Sequence, residues 1–276
     1  MNTRTKVALT GIVAASAILT ASGCAVEESS MLVVGNELIT GTCELSPSVD
    51  GPFLTRGTLD LAIRNQYIMF PVIQNQLGRS SDVVIKPAGA GGGGGTSGSG
   101  LGDVLIEGNT VILQQADVDF EIPGGIAPTF PSKLTIPTSG TVFPQGVAAT
   151  GIEIISPDLG NLLAAQINQR GLVVTMLVKV QFSGVTASGT DVVSTELTYP
   201  LDVCFGCLVS HQPGTLFTDD DNSLTCDPLA RPADADVVED KSDAPCLIGQ
   251  DAAVDCRLCR TVQSSQEEAD RICDPP

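Results

Sequence analysis

Across residues 172–182 every second side chain is apolar. Leu172, Val174, Met176, Val178, Val180 and Phe182 share one face, and Val173, Thr175, Leu177, Lys179 and Gln181 share the other. A period of two predicts a strand with one buried side. A loop over 183–191, with Gly184 and Gly189, leads to a second alternation of Val193, Thr195, Leu197, Tyr199 and Leu201, so the two segments form a predicted hairpin. Ala116, Val118, Phe120 and Ile122 alternate with Gln115, Asp117, Asp119 and Glu121 in another half-buried strand. Leu59, Leu61, Ile63, Tyr67 and Met69 predict one long strand with Asn65 as its polar member.

One short helix is expected after Ser156. Ser156 can cap it, Pro157 fits its first position, Leu159, Leu162, Leu163 and Ile167 make its apolar side, and Gly171 ends it. Many strands and one helix give a mainly β fold. Residues 31–208 are expected to form an antiparallel β-sandwich, with a barrel as the competing architecture. Within it, residues 88–102 hold nine glycines and are expected to be a flexible loop. From residue 209 the periodicity fades. Residues 211–243 are rich in Asp, Pro, Ala and Thr and are expected to be a mobile, loop-dominated stretch, whereas 263–271 is helix-compatible. Residues 209–276 are therefore expected to be an acidic, Cys-rich C-terminal module. The sandwich has apolar faces of its own and is expected to fold without that module.

Composition supports β-structure, because with no Trp and two Tyr the core must come from Val, Ile, Leu, Ala and a few Phe. The net charge is −18, and residues 202–276 hold 16 acidic and 5 basic side chains. Such a charge repels phosphate backbones, so no nucleic-acid partner is expected. The acidic groups are expected to form a solvated surface.

The chain start changes the picture. Arg4 and Lys6 precede an apolar stretch over 7–19, broken only by Thr10, Gly11 and Ser16. That length is short for a bilayer span and fits the hydrophobic region of a signal peptide. It ends in Ala21-Ser22-Gly23-Cys24. Small residues before a cysteine resemble the lipobox of bacterial lipoproteins, although Ala21 stands where Leu is usual. In that family the cysteine thiol is alkylated by diacylglycerol and cleavage leaves it as the new N-terminus. The resemblance implies a signal peptide over 1–23, a tether over 24–30 and membrane attachment through lipid on Cys24. Ala25 follows instead of the Asp that marks inner-membrane retention in many lipoproteins, which implies the outer membrane.

With Cys24 lipidated, Cys43, Cys204, Cys207, Cys226, Cys246, Cys256, Cys259 and Cys273 are left, enough for four disulfides. Eight cysteines allow 105 pairings, so connectivity stays open. Two CxxC motifs stand out, Cys204-Phe205-Gly206-Cys207 and Cys256-Arg257-Leu258-Cys259. Together they offer four thiolates in the manner of a zinc site. Either could be redox-active if its first cysteine opened a helix; Arg257 and Arg260 would favour the second motif. No βαβ pattern surrounds them, and an exported chain favours disulfides. No metal or cofactor is expected.

Other motifs are weaker. Asp219, Asp220, Asp221 and Asn222 resemble the start of a calcium loop, but Leu224 stands where Gly is required and Ala230 where Glu is required. The glycines over 91–95 lack the Lys-Ser/Thr of a phosphate-binding loop. His211 is the single imidazole, so any hydrolytic triad would need it. Asp117 and Asp119 share a strand face expected to meet solvent. These readings lead to a non-catalytic, lipid-anchored envelope protein that binds or supports an unknown protein or envelope partner. An exported thiol-redox or hydrolytic enzyme is one alternative, and a metal-binding module using the CxxC pairs is another.

Overall fold

A computed structural model describes residues 29–39, 43–79, 82–85, 104–122, 130–211, 216–218, 224–226 and 246–274. The first strands are β1 (Met31–Glu37), β2 (Phe53–Leu54), β3 (Gly57–Asp60), β4 (Tyr67–Met69) and β5 (Pro71–Asn75). Next come β6 (Asp82–Ile85), β7 (Val104–Glu107), β8 (Val111–Glu121), β9 (Lys133–Val142), β10 (Val147–Ala149) and β11 (Ile152–Ile155). Helix α1 (Pro157–Ala164) leads into β12 (Val173–Thr186), β13 (Asp191–Val193) and β14 (Leu197–Cys204). The C-terminal segment adds β15 (Val209–Ser210), β16 (Leu216–Thr218), β17 (Leu224–Cys226) and β18 (Val254–Asp255), then α2 (Cys256–Val262) and α3 (Gln266–Cys273).

A six-stranded sheet runs β3-β14-β12-β8-β9, with β13 paired to β12, and a four-stranded sheet runs β10-β5-β1-β2. Pairing is antiparallel within both except where β14 lies parallel to β3. Their inward side chains, including Val118, Val178, Val180 and Phe182 from one and Met31, Val33 and Ile73 from the other, form one apolar core. The fold is thus the expected mainly β sandwich. Between β9 and β10 the chain passes from one sheet to the other in a turn closed by the Gly146 N–H donating to the Phe143 carbonyl at 2.8 Å. Asn75, fully buried, ties the layers together: its amide donates to the carbonyls of Val142 and Asn109 at 3.0 and 2.8 Å. A buried amide left unbonded would be costly, so these contacts fix how the sheets meet.

The alternation over 172–182 is realised in β12, where Val174, Met176, Val178, Val180 and Phe182 are buried. The strand continues to Thr186 because Gly184 lets the backbone approach β8; a Cβ there would lie 2.5 Å from the Ile112 carbonyl oxygen. Leu172 lies just before the strand and is exposed. The second alternation is interrupted. Val192 is buried and Val193 exposed, whereas Tyr199 and Leu201 are buried, so the inward parity changes between them. The irregularity lies at 194–195, where the Ser194 hydroxyl accepts from the Phe182 N–H at 2.8 Å and the Thr195 N–H donates to the Met31 carbonyl at 3.0 Å.

The expected long strand over 59–69 is two strands in different sheets. Asp60 ends β3 by closing a turn: its carbonyl accepts from Ile63 and Arg64, and its carboxylate accepts from the Ala62 N–H. Helix α1 begins as expected, with the Ser156 hydroxyl accepting from the Leu159 N–H, but it ends at Ala164, before Gly171. The helix expected over 263–271 is α3, capped by Ser265, and a further helix, α2, precedes it.

The C-terminal segment is built into the sandwich. Residues 249–251 lie along the free edge of β3: the Asp60 N–H donates to the Gly249 carbonyl at 3.0 Å and the Asp251 N–H to the Thr58 carbonyl at 2.9 Å. This covers an edge that would otherwise present unpaired backbone groups. Val254, Cys259, Ile272 and Cys273 are fully or almost fully buried and join the apolar core. Residues 209–276 thus share the core of the sandwich.

Four disulfides are formed: Cys43–Cys246, Cys204–Cys207, Cys226–Cys256 and Cys259–Cys273. The first spans 203 residues, the second only 3. In the chain-entropy picture a ring of the first size is worth about 5 kcal/mol and one of the second about 2 kcal/mol or less.

Candidate functional site

Chemistry-bearing side chains converge where the C-terminal segment meets β3 and β14. Parallel pairing of these strands sets Asp60 directly beside Cys204. The chain then turns through Phe205 and Gly206, whose φ of +71° is a left-handed conformation suited to glycine. Asp60, fully buried, holds this turn: its two carboxylate oxygens accept from Gly206 N–H at 2.7 Å and Leu208 N–H at 2.9 Å. The sulfurs of Cys204 and Cys207 and an Asp60 oxygen all lie within 4.8 Å of one another. Burial raises the Asp60 pKa, opposed by its three backbone hydrogen bonds and by the Arg170 charge.

Arg170 closes the same corner. Its guanidinium donates to the carbonyls of Ile272 and Asp274 at the end of α3. Its side chain lies over the turn, since a Cβ on Gly206 would be 3.4 Å from Nε. Arg271 stacks on Phe205, its guanidinium carbon 5.1 Å from the ring centre. Two cations therefore border the Cys204–Cys207 turn.

A second cluster lies along the same seam. The Tyr67 hydroxyl donates to Asp251, and the Tyr199 hydroxyl lies 3.0 Å from it. Asp251 also accepts from the Thr58 N–H at 2.7 Å. Gln250 joins both of its amide atoms to the backbone of Ile68. Burial pushes the Tyr67 hydroxyl well above the usual tyrosine range, Tyr199 up to about 12, and Asp251 above the usual carboxylate range. The cluster fastens the segment to the sandwich; each phenol is held neutral and serves as a hydrogen-bonding group.

The eight cysteines expected to form disulfides all do so. The two CxxC motifs are not brought together as a four-thiolate site, because Cys256 bonds Cys226 and Cys259 bonds Cys273. Among the described residues one group of His, Cys, Asp and Glu is close enough to share an ion, namely Asp60, Cys204 and Cys207. Its sulfurs are bonded to each other, so it offers a carboxylate and no thiolate. The His211 ring Nε2 lies 2.9 Å from the Cys273 carbonyl oxygen, a structural contact. Asp117 and Asp119 lie on the outer sheet face, where Thr135 donates to Asp117 at 2.7 Å and Lys133 pairs with Asp119 at 2.8 Å. Cys24, the glycines over 88–102 and Asp219 to Asn222 lie outside the described residues.

Asp60 drew no notice in the sequence, where it sits inside an apolar alternation; its signal lay in the parallel pairing to Cys204, which no local pattern encodes. Asp251 and Arg170 were equally silent. The sequence matches no family model, and no curated protein matches it.

Proposed function

We propose that the chain is an exported bacterial lipoprotein, anchored to the outer membrane through lipid on Cys24, whose disulfide-tied sandwich binds or supports an envelope partner without turning over a substrate. The observation that carries this reading is the cysteine pairing. Eight of the nine cysteines pair among themselves, which leaves Cys24, at the end of a lipobox-like leader, as the odd one. Four disulfides suit an oxidising compartment outside the cytoplasm. The two phenols and His211 are engaged in structural hydrogen bonds, which supports a framework over a hydrolase. The test is metabolic labelling with a fatty-acid probe in a bacterial host. The wild type should take the label and fractionate with outer membranes, and Cys24→Ala should do neither. An unlabelled, freely soluble wild type refutes the anchoring.

A further inference from the structure

Three of the disulfides join separated parts of the chain, but Cys204–Cys207 spans a sequence separation of 3 and fastens no two elements. Its two sulfur-bearing residues are unlike: Cys204 is fully buried and Cys207 is exposed. The Asp60 carboxylate lies within 4.8 Å of both sulfurs. The Arg170 Nε is buried beside the turn without a hydrogen-bond partner. The Leu59 carbonyl oxygen lies 3.5 Å from the Cys204 sulfur, an acceptor that a disulfide sulfur cannot use and a thiol can. The corner is therefore furnished for the reduced pair as well as the oxidised one.

We infer that Cys204–Cys207 is a thiol–disulfide exchange site addressed by the dithiol of a partner protein, with Cys207 the attacked sulfur, Cys204 the leaving sulfur and Asp60 the proton carrier. This goes beyond the anchoring reading, since the chemistry is done by a partner on this chain.

In the reductive direction a partner thiolate attacks the exposed Cys207 sulfur. A bond forms between the partner's sulfur and Cys207, the Cys204–Cys207 bond breaks, and its electron pair leaves on Cys204. The Cys204 thiolate takes a proton from the Asp60 carboxyl, which solvent later restores. The partner's second thiolate then attacks its own first sulfur and expels Cys207 as thiolate, which is protonated from water. The partner dithiol is oxidised to a disulfide while Cys204 and Cys207 become two thiols, a transfer of two electrons and two protons. A leaving thiolate that takes up a proton cannot close the ring again, and the Asp60 carboxyl within 4.8 Å supplies that proton. Burial of Asp60 brings its carboxyl nearer the pH range where it can both give and take a proton.

The test uses the full-length chain, extracted in detergent and kept folded. It is equilibrated in dithiothreitol buffers of stepped potential, quenched with an alkylating agent and mapped by peptide mass. Cys204 and Cys207 are expected to open together and reversibly, with the same midpoint from the oxidised and reduced sides, while Cys226, Cys256, Cys259 and Cys273 stay paired. Cys43–Cys246 is the control for exposure alone, because Cys43 is also exposed. Opening of Cys43–Cys246 at milder reduction, or opening of Cys204–Cys207 only with global unfolding, overturns the proposal. The second measurement follows release of glutathione from a Cys207–glutathione mixed disulfide as Cys204 closes the ring. Asp60→Asn should slow this closure about tenfold or more at pH 7 and make it follow thiol ionisation alone. Equal rates in wild type and variant overturn the proposal. If Asp60→Asn does not fold, the wild-type profile decides: a limb titrating with a carboxyl supports the proposal, and a profile set by thiol ionisation alone overturns it.

Discussion

The Tyr67 hydroxyl lies 3.0 and 2.9 Å from the two carboxylate oxygens of Asp251, across 184 residues of chain. A phenol has one proton to give, so with Tyr67 donating to Asp251 the neighbouring Tyr199 hydroxyl donates to Tyr67. Two buried phenols on β4 and β14 thus depend on a carboxylate supplied by the C-terminal segment.

Replacing Asp251 by Ala strands the Tyr67 hydroxyl and the Thr58 N–H, both of which it satisfies. The expected loss is about 2 to 3 kcal/mol, from leaving buried donors unpaired. Urea denaturation measures it. Tyr67→Phe also takes the acceptor from the buried Tyr199 hydroxyl and should cost a comparable amount, and the double variant should cost less than the sum of the two.

The pH dependence follows from Asp60 and Asp251, both with folded pKa values raised mainly by burial. A carboxyl whose folded pKa exceeds its unfolded value binds its proton more tightly when folded. Its contribution is fully present below the unfolded value of 3.8 and is lost as pH rises through the folded one. Their joint contribution to the melting temperature should therefore rise as pH falls from neutral toward that range, opposite in sign to that of Asp255, whose folded pKa, against the effect of burial, is lowered by Arg257. Asp251→Asn should flatten the slope, and its slope matching wild type would contradict the assignment.

A chain of residues 31–208, with Cys43→Ser to remove the widowed thiol, tests whether the sandwich stands alone. It lacks Val254 and Ile272, whose burial is worth about 1.5 to 3 kcal/mol each, and it exposes the β3 edge. It should melt about 10 °C or more below the full chain and tend to associate. A cooperative melt near the full-length value would make the tail an appendage.

The disulfides should differ in worth. Cys43→Ala with Cys246→Ala opens the 203-residue ring and is expected to cost on the order of 3 to 5 kcal/mol. Cys204→Ala with Cys207→Ala opens the shortest ring and is expected to cost about 2 kcal/mol or less. Parallel urea titrations decide; equal losses would show that ring size does not govern.

How far these features could be read in advance depends on whether their cause is local. The β12 alternation was legible because one face is buried along its whole length, and α1 because Ser156 and Pro157 mark its start. The break at Asp60 was hidden because Leu59, Leu61 and Tyr67 keep an odd-numbered apolar spacing through the turn and on into another sheet. The parity change between Val193 and Tyr199 was hidden because its cause is the bond from Thr195 to Met31, far away in sequence. The cysteine count was legible and the pairing was not. A cysteine at a helix start is Cys256, which opens α2 yet is bonded to Cys226, while the pair with both sulfurs within 4.8 Å of a carboxylate, among the described residues, is Cys204–Cys207, at a strand end.

Intact-mass spectrometry of the protein extracted from membranes tests the central claim most directly. The account predicts an N-terminus at Cys24 carrying the mass of its lipid, no alkylation before reduction, and eight alkylations after reduction in denaturant. An unmodified Cys24, a chain that begins elsewhere, or free thiols before reduction would contradict it.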